Sequence, residues 1–112
     1  MATVEQLKQF GANTEEGISR CMGSEAFYLR MVGLLSKDNN FEALKKALAE
    51  DDLTTAFERA HALKGVLANL SLTPVLKPVS EMTELLRAHT ETDYTSLLSE
   101  AEEQMNKLFA IL

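Results

Sequence analysis

Residues 53–70, LTTAFERAHALKGVLANL, are the segment from which the fold is best predicted. Its apolar residues recur every three or four positions, which is the period of an amphipathic α-helix. The residues of the apolar stripe are Leu53, Ala56, Ala60, Leu63 and Leu67. Either Asp51 or Asp52 can cap the start of this helix. Successive helical residues are about 100° apart, so His61 is predicted to lie on the shoulder of the buried stripe.

The rest of the chain shows the same period, without sustained polar–apolar alternation and without an Asn-Gly hairpin signal. Further helices are predicted after Thr3, after Asn13 or Thr14, from Ser24, from Phe41 to about Glu50, from Pro74 to about His89, and from Thr92 or Asp93. Long helices joined by short turns pack against their neighbours in antiparallel fashion. We therefore predict an all-α fold, an antiparallel up-down four-helix bundle with one or two short additional N-terminal helices.

Two prolines fall in one predicted helix. Pro74 suits the first helical position, with Thr73 as the cap. Pro78 comes one turn later, where its ring lacks a donor and crowds the preceding turn. We expect a kink at Pro78 or a later start of the helix.

Composition limits the function classes. The 112 residues are 46% hydrophobic and 25% charged, which predicts one globular domain spanning residues 1–112. The formal net charge of −6 argues against nucleic acid and against an anionic membrane surface as partners. No apolar run approaches the ~20 residues of a membrane span. The single cysteine and the absence of a signal-like start lead us to expect a cytoplasmic protein, and we also expect a monomer.

Three residues within 53–70 form a candidate functional site. Lys64 and Gly65 follow His61 by three and four positions, so they are its neighbours on one helical face. A neutral imidazole nitrogen can attack phosphorus, and an adjacent ammonium group can stabilise the negative charge of the product. Glycine inside a helix costs roughly 1 kcal/mol relative to alanine, so Gly65 requires a reason. The reason is close approach either by another helix or by a docked partner.

Helical phase also predicts the surroundings of the histidine. Thr54, Glu58 and Ala68 are predicted to flank His61, and Phe57 belongs to the same predicted face. These residues are the predicted partner-binding positions, together with residues of an adjacent helix. Cys21 is predicted to be a core residue and His89 to have a structural role near a helix end.

The run His61-Ala62-Leu63-Lys64-Gly65 resembles the signature of histidine-containing phosphotransfer (HPt) domains of multistep two-component phosphorelays. Residues 11–20 and 23–28 look like the N-terminal part of that family, residues 52–72 like its motif helix, and residues 85–87 like part of the next helix. One position departs from the pattern. Many members have glycine ten residues after the histidine, where this chain has Ser71, and we expect the change to alter the turn.

The resemblance implies a role for each residue of the motif. His61 would accept the phosphoryl group, Lys64 would assist it electrostatically, and Gly65 would give the incoming domain room. The partners would be response-regulator receiver domains and a sensor (hybrid) histidine kinase. The receiver would bring an aspartate and Mg²⁺, while this chain would bring no cofactor, metal or nucleotide. We expect no autonomous kinase activity.

Three alternatives have their own sequence tests. A di-iron bundle needs two Glu-x-x-His motifs, and Glu58–His61 is matched by no second one, since Leu86 precedes His89 by three. The dimerisation helix of a sensor kinase usually has an acidic residue after its histidine, where this chain has Ala62. A non-catalytic helical adaptor would form no acid-labile phosphate with a small phosphodonor.

Overall fold

The computed structural model describes residues 2–112 as an all-helical protein. The α-helices are α1 (Val4–Phe10), α2 (Thr14–Arg20), α3 (Glu25–Gly33), α4 (Asn40–Ala49), α5 (Leu53–Asn69), α6 (Thr73–Arg87) and α7 (Thr95–Phe109). A 3₁₀ helix, Leu34–Lys37, follows α3 directly. The described residues contain no strand, so the all-α prediction is confirmed.

Four helix starts have the side-chain caps that the sequence predicts. Thr3 forms a reciprocal capping box with Gln6 at α1. Asn13 caps α2, Ser24 caps α3 and Asp52 caps α5, each accepting a hydrogen bond from a backbone N–H of the first turn. Each cap satisfies a donor that has no partner inside its helix.

Two predicted helix starts are wrong by one to three residues. Thr73 is the first residue of α6 and not its cap, because its hydroxyl donates back to the Ser71 carbonyl. Helix α7 begins at Thr95, because the Asp93 carboxylate accepts from the Thr95 N–H at 2.9 Å and forms a local turn before the helix. A later start at Pro78 is also wrong, since α6 runs from Thr73 to Arg87 with Pro78 buried inside it.

Consecutive helices make the main packing contacts, α4 with α5, α5 with α6 and α6 with α7. Helix α4 is tied to α7 by an ion pair in which Lys45 Nζ lies 3.0 Å from Glu102 Oε1. The molecule measures 40 × 24 × 20 Å along its principal axes. Apolar side chains fill its core, among them the fully buried Leu7, Val32, Leu44, Leu63, Leu67, Met82, Leu86 and Leu108. Each such side chain contributes about 1.5–3 kcal/mol of burial energy.

The N-terminal helices are anchored at the end of α5. The Tyr28 hydroxyl donates to the Leu70 carbonyl oxygen at 2.9 Å, and its ring is fully buried. Gly17 lets α2 approach this ring, since a Cβ at that position would overlap Tyr28 and lie 2.9 Å from the Leu70 oxygen. Burial, with a smaller contribution from Cys21, raises the pKa of Tyr28 to about 12.

The turn between α5 and α6 places Ser71 in the left-handed region, with φ of +52°. Its hydroxyl is buried without a hydrogen-bond partner among the described residues. Left-handed backbone is unfavourable for a residue with a Cβ and permissive for glycine. The turn therefore supplies a physical reason why glycine suits this position.

No helix within residues 2–112 combines the length and apolar character needed to cross a bilayer.

Candidate functional site

His61 lies in the middle of α5, and its side chain is exposed to solvent. The residues that pack α5 into the core flank it in sequence, with Ala60 fully buried and Leu63 1% exposed. The prediction that His61 lies on the shoulder of the buried stripe is confirmed. The ring is thus accessible to a macromolecule that approaches α5 from outside.

An aromatic ring positions the imidazole. Phe57, one turn before His61, stacks on it with ring centroids 5.5 Å apart and an angle of 20° between the planes. The other aromatic contact of Phe57 is the Arg87 guanidinium of α6, whose carbon lies 5.1 Å from the ring centroid. Offset stacking and cation–π attraction restrict the orientation of Phe57. The orientation of His61 therefore depends on side chains of both α5 and α6.

Lys64 is half-buried, with 30% of its side chain exposed, and its ammonium group is already paired. Lys64 Nζ lies 3.3 Å from Oε1 of Glu84 on α6. The second oxygen of the same carboxylate, Oε2, accepts from Arg87 Nε at 3.2 Å. The hydrogen bond from Lys64, followed by the hydrogen bond and the positive charge of Arg87, holds the pKa of Glu84 below its usual range.

Gly65 faces open space. A Cβ built on its backbone would meet no atom within 4 Å outside its own helix. Close approach by another helix of residues 2–112, one of the two explanations for this glycine, is therefore wrong. The other explanation, close approach by a docked partner, stays a prediction.

The other predicted partner-binding residues surround this centre. Thr54 and Glu58 are exposed, and Ala68 is half-buried. Arg20, at the end of α2, donates to the Ala68 carbonyl oxygen and also pairs with Glu16 at 2.6 Å. The end of α2 consequently borders the face of α5 that carries the histidine.

Sequence reasoning missed Glu84 and Arg87, although it anticipated residues of an adjacent helix. Both lie on exposed positions of α6, three apart and so on one face. That spacing was a signal in the sequence. The register between α5 and α6, which brings Glu84 beside Lys64 and Arg87 beside Phe57, could not be predicted from the sequence.

Elsewhere in residues 2–112, no group of three or more His, Cys, Asp or Glu side chains could hold a metal ion. Cys21 is buried in the core, as predicted. His89 is exposed just beyond α6, with a left-handed φ of +52°. The described residues thus place one histidine, His61, beside a lysine and an open glycine.

A comparison with family models identifies the same region. The sequence model of the Hpt domain matches residues 36–111, which is more than half of the chain and includes all of α4 to α7. The chain belongs to the Hpt domain family. The likeness noted for residues 11–20 and 23–28 lies outside the matched region. No curated protein and no solved structure matches the chain at the significance threshold.

Membership in this family implies a general role. Hpt domains are phosphotransfer carriers of two-component systems, and they interact with response regulators and histidine kinases. The family thus implies a phosphotransfer-carrier role for this chain and interaction with proteins of these two kinds.

Proposed function

We propose that this Hpt domain accepts a phosphoryl group on His61 from a receiver aspartate and passes it to another receiver. The observation that carries the proposal is the exposed imidazole of α5, followed by Lys64 one turn on and by a glycine with open space around it. A transfer between two proteins requires an exposed nucleophile, a nearby cation and open space for the partner beside the nucleophile.

The chemistry needs little from this chain. The unprotonated ring nitrogen of His61 attacks the phosphorus of the aspartyl phosphate, and the N–P bond forms as the bond to the aspartate oxygen breaks. The aspartate leaves as a carboxylate, and the proton of the imidazole stays on the other nitrogen. The receiver supplies Mg²⁺ and the in-line geometry. This chain supplies the nucleophile, its orientation by Phe57 and the positive charge of Lys64.

The receiver docks on a face comprising Thr54, Phe57, Glu58, His61, Lys64, Gly65 and Ala68, which we call the docking face. Small or short side chains at Thr54, Gly65 and Ala68 leave the imidazole standing above its surroundings. A docked domain excludes water, and the attraction between Lys64 and the phosphoryl group then strengthens because the local dielectric falls.

The scaffold proposed for this role is the antiparallel up-down bundle of α4 to α7. Its support is the pairing of consecutive helices and the ion pair that joins α4 to α7. Residues 1–112 would act as one domain, a cytoplasmic monomer with no metal or nucleotide of its own. The kinase partner is a sensor kinase that carries or feeds a receiver domain.

Phosphate transfer tests the assignment. Wild-type protein is incubated with a phosphorylated receiver domain, and acid-labile label on the Hpt chain is compared with that on His61→Gln. His89→Gln is the matched control, since His89 is the other exposed histidine of residues 2–112. We expect label on the wild type and on His89→Gln, and none on His61→Gln. Label that persists on a folded His61→Gln protein contradicts the proposal, and so does a wild type that takes up none.

A further inference from the structure

Glu84 has no part in the proposed transfer, yet it is paired with the cation that the transfer uses. Its carboxylate binds Lys64 through Oε1 at 3.3 Å and Arg87 through Oε2 at 3.2 Å. Arg87 in turn covers the Phe57 ring on which His61 stacks. One acidic side chain therefore contacts both Lys64 and the arginine that lies over the ring supporting the histidine.

Phosphorylation changes the competition for these cations. A phosphoryl group brings about two negative charges and three strong acceptor oxygens. Glu84 offers a single charge, and with 55% of its side chain exposed it binds Lys64 in a well-solvated environment. A long lysine side chain that reaches Glu84 from α5 can exchange one acceptor for another by rotation about its own bonds.

We propose that Glu84 is a positioning residue that acts as the resting counter-ion of Lys64 and competes with the phosphoryl group for it. This inference rests on the proposed phosphorylation of His61. In the free protein Glu84 keeps the ammonium group near the docking face and neutralises it. After transfer, Lys64 leaves Glu84 for the phosphoryl oxygens, and the exchange lowers the stability of the phosphorylated form relative to a protein without that carboxylate.

Glu84→Gln keeps the shape of the side chain and removes its charge, so it should change the lifetime of phosphohistidine in one direction. The half-life of phosphohistidine should lengthen about two- to five-fold, the factor that one exposed ion pair can contribute to an equilibrium. Because exposed charges are screened by salt, the difference should shrink at 1 M NaCl. Glu81→Gln is the matched control, an exposed glutamate on the same helix, and should behave as wild type.

The experiment uses phosphoramidate as a small phosphodonor, so that no partner protein is needed. The full chain is labelled, the donor is removed, and loss of acid-labile phosphate is followed at pH 8. A double-mutant cycle adds Lys64→Ala and Lys64→Ala combined with Glu84→Gln. Lys64→Ala alone should shorten the half-life, and Glu84→Gln should have little effect in that background, because there is no ammonium group left to release.

The outcomes separate the two proposals. A longer half-life in Glu84→Gln that depends on Lys64 supports the counter-ion role. An unchanged or shorter half-life in Glu84→Gln overturns it, and so does an equal lengthening with and without Lys64. In those cases His61 can still be labelled, and the proposed function stands. Failure of phosphoramidate and a phosphorylated receiver alike to label His61 removes the proposed function itself.

Discussion

Replacement of Gly65 by alanine should stabilise the protein and weaken its function, two effects of opposite sign from one methyl group. The position lies in the interior of α5, where glycine is about 1 kcal/mol less favourable than alanine. A Cβ there would touch nothing within 4 Å, so no clash offsets the gain. We expect the free energy of unfolding to rise by about 1 kcal/mol, which raises Tm by about 4 °C in a domain of this size.

The functional effect grows with the size of the new side chain. Gly65→Ala should slow phosphate transfer from a receiver, and Gly65→Arg should block it while the helical circular dichroism signal persists, because both side chains occupy the space above the docking face. Labelling by phosphoramidate should survive, since a small donor needs no such space. Thermal unfolding and a transfer time course with one receiver domain measure the two effects separately.

Gly33 provides the matched control. It has helical backbone angles, and a Cβ there would also meet nothing within 4 Å, but it lies at the end of α3, outside the docking face. Gly33→Ala should leave transfer unchanged. Two results would refute the reasoning about Gly65. Destabilisation by alanine would mean that another part of the protein approaches the backbone, and wild-type transfer by Gly65→Arg would mean that no partner does.

Two further predictions concern the end of α5. Ser71→Gly should raise the free energy of unfolding by about 1 kcal/mol. The change removes left-handed backbone strain of about 1 kcal/mol and the cost of an unpaired buried hydroxyl, also about 1 kcal/mol. The greater conformational entropy of glycine in the unfolded chain offsets about 0.4–1 kcal/mol of this gain. Urea unfolding checks this, and a lower midpoint would show that the hydroxyl has a partner. Tyr28, whose pKa is raised to about 12, keeps its proton in the folded protein, so its contribution to stability should be present below pH 10 and lost between pH 10 and 12. Tyr28→Phe should remove that part of the alkaline loss, and an unchanged pH profile in Tyr28→Phe would contradict it.

The features of the sequence that predicted the exposed position of His61 are local. A helix repeats every 3.6 residues, so the spacing of apolar residues in 53–70 predicts both the helix and the side on which His61 emerges. The caps at Asn13, Ser24 and Asp52 are equally local, since each side chain bonds to a backbone N–H three residues away. The start of α7 was mispredicted because an aspartate suits both a helix cap and a local turn. Asp93 forms the turn, in which its carboxylate accepts from the Thr95 N–H.

Other features depend on register and could not be derived from spacing. Glu84 is 20 residues from Lys64, and Arg87 is 30 from Phe57, so only the packing of α6 on α5 brings each pair together. The same holds for Tyr28 and Leu70, which join the N-terminal helices to the end of α5. Close approach to Gly65 by another helix also remained a possible explanation until the space around the residue was known.

Periodicity and local hydrogen bonding thus determined, from the sequence alone, that the chain is helical and that a histidine, a lysine and a glycine share one exposed region. Tertiary structure alone decided which charges lie beside Lys64 and Phe57 and whether another helix covers the glycine. The physical reason is that a helix is specified by interactions between residues three and four apart, whereas contacts between helices depend on how their side chains interlock.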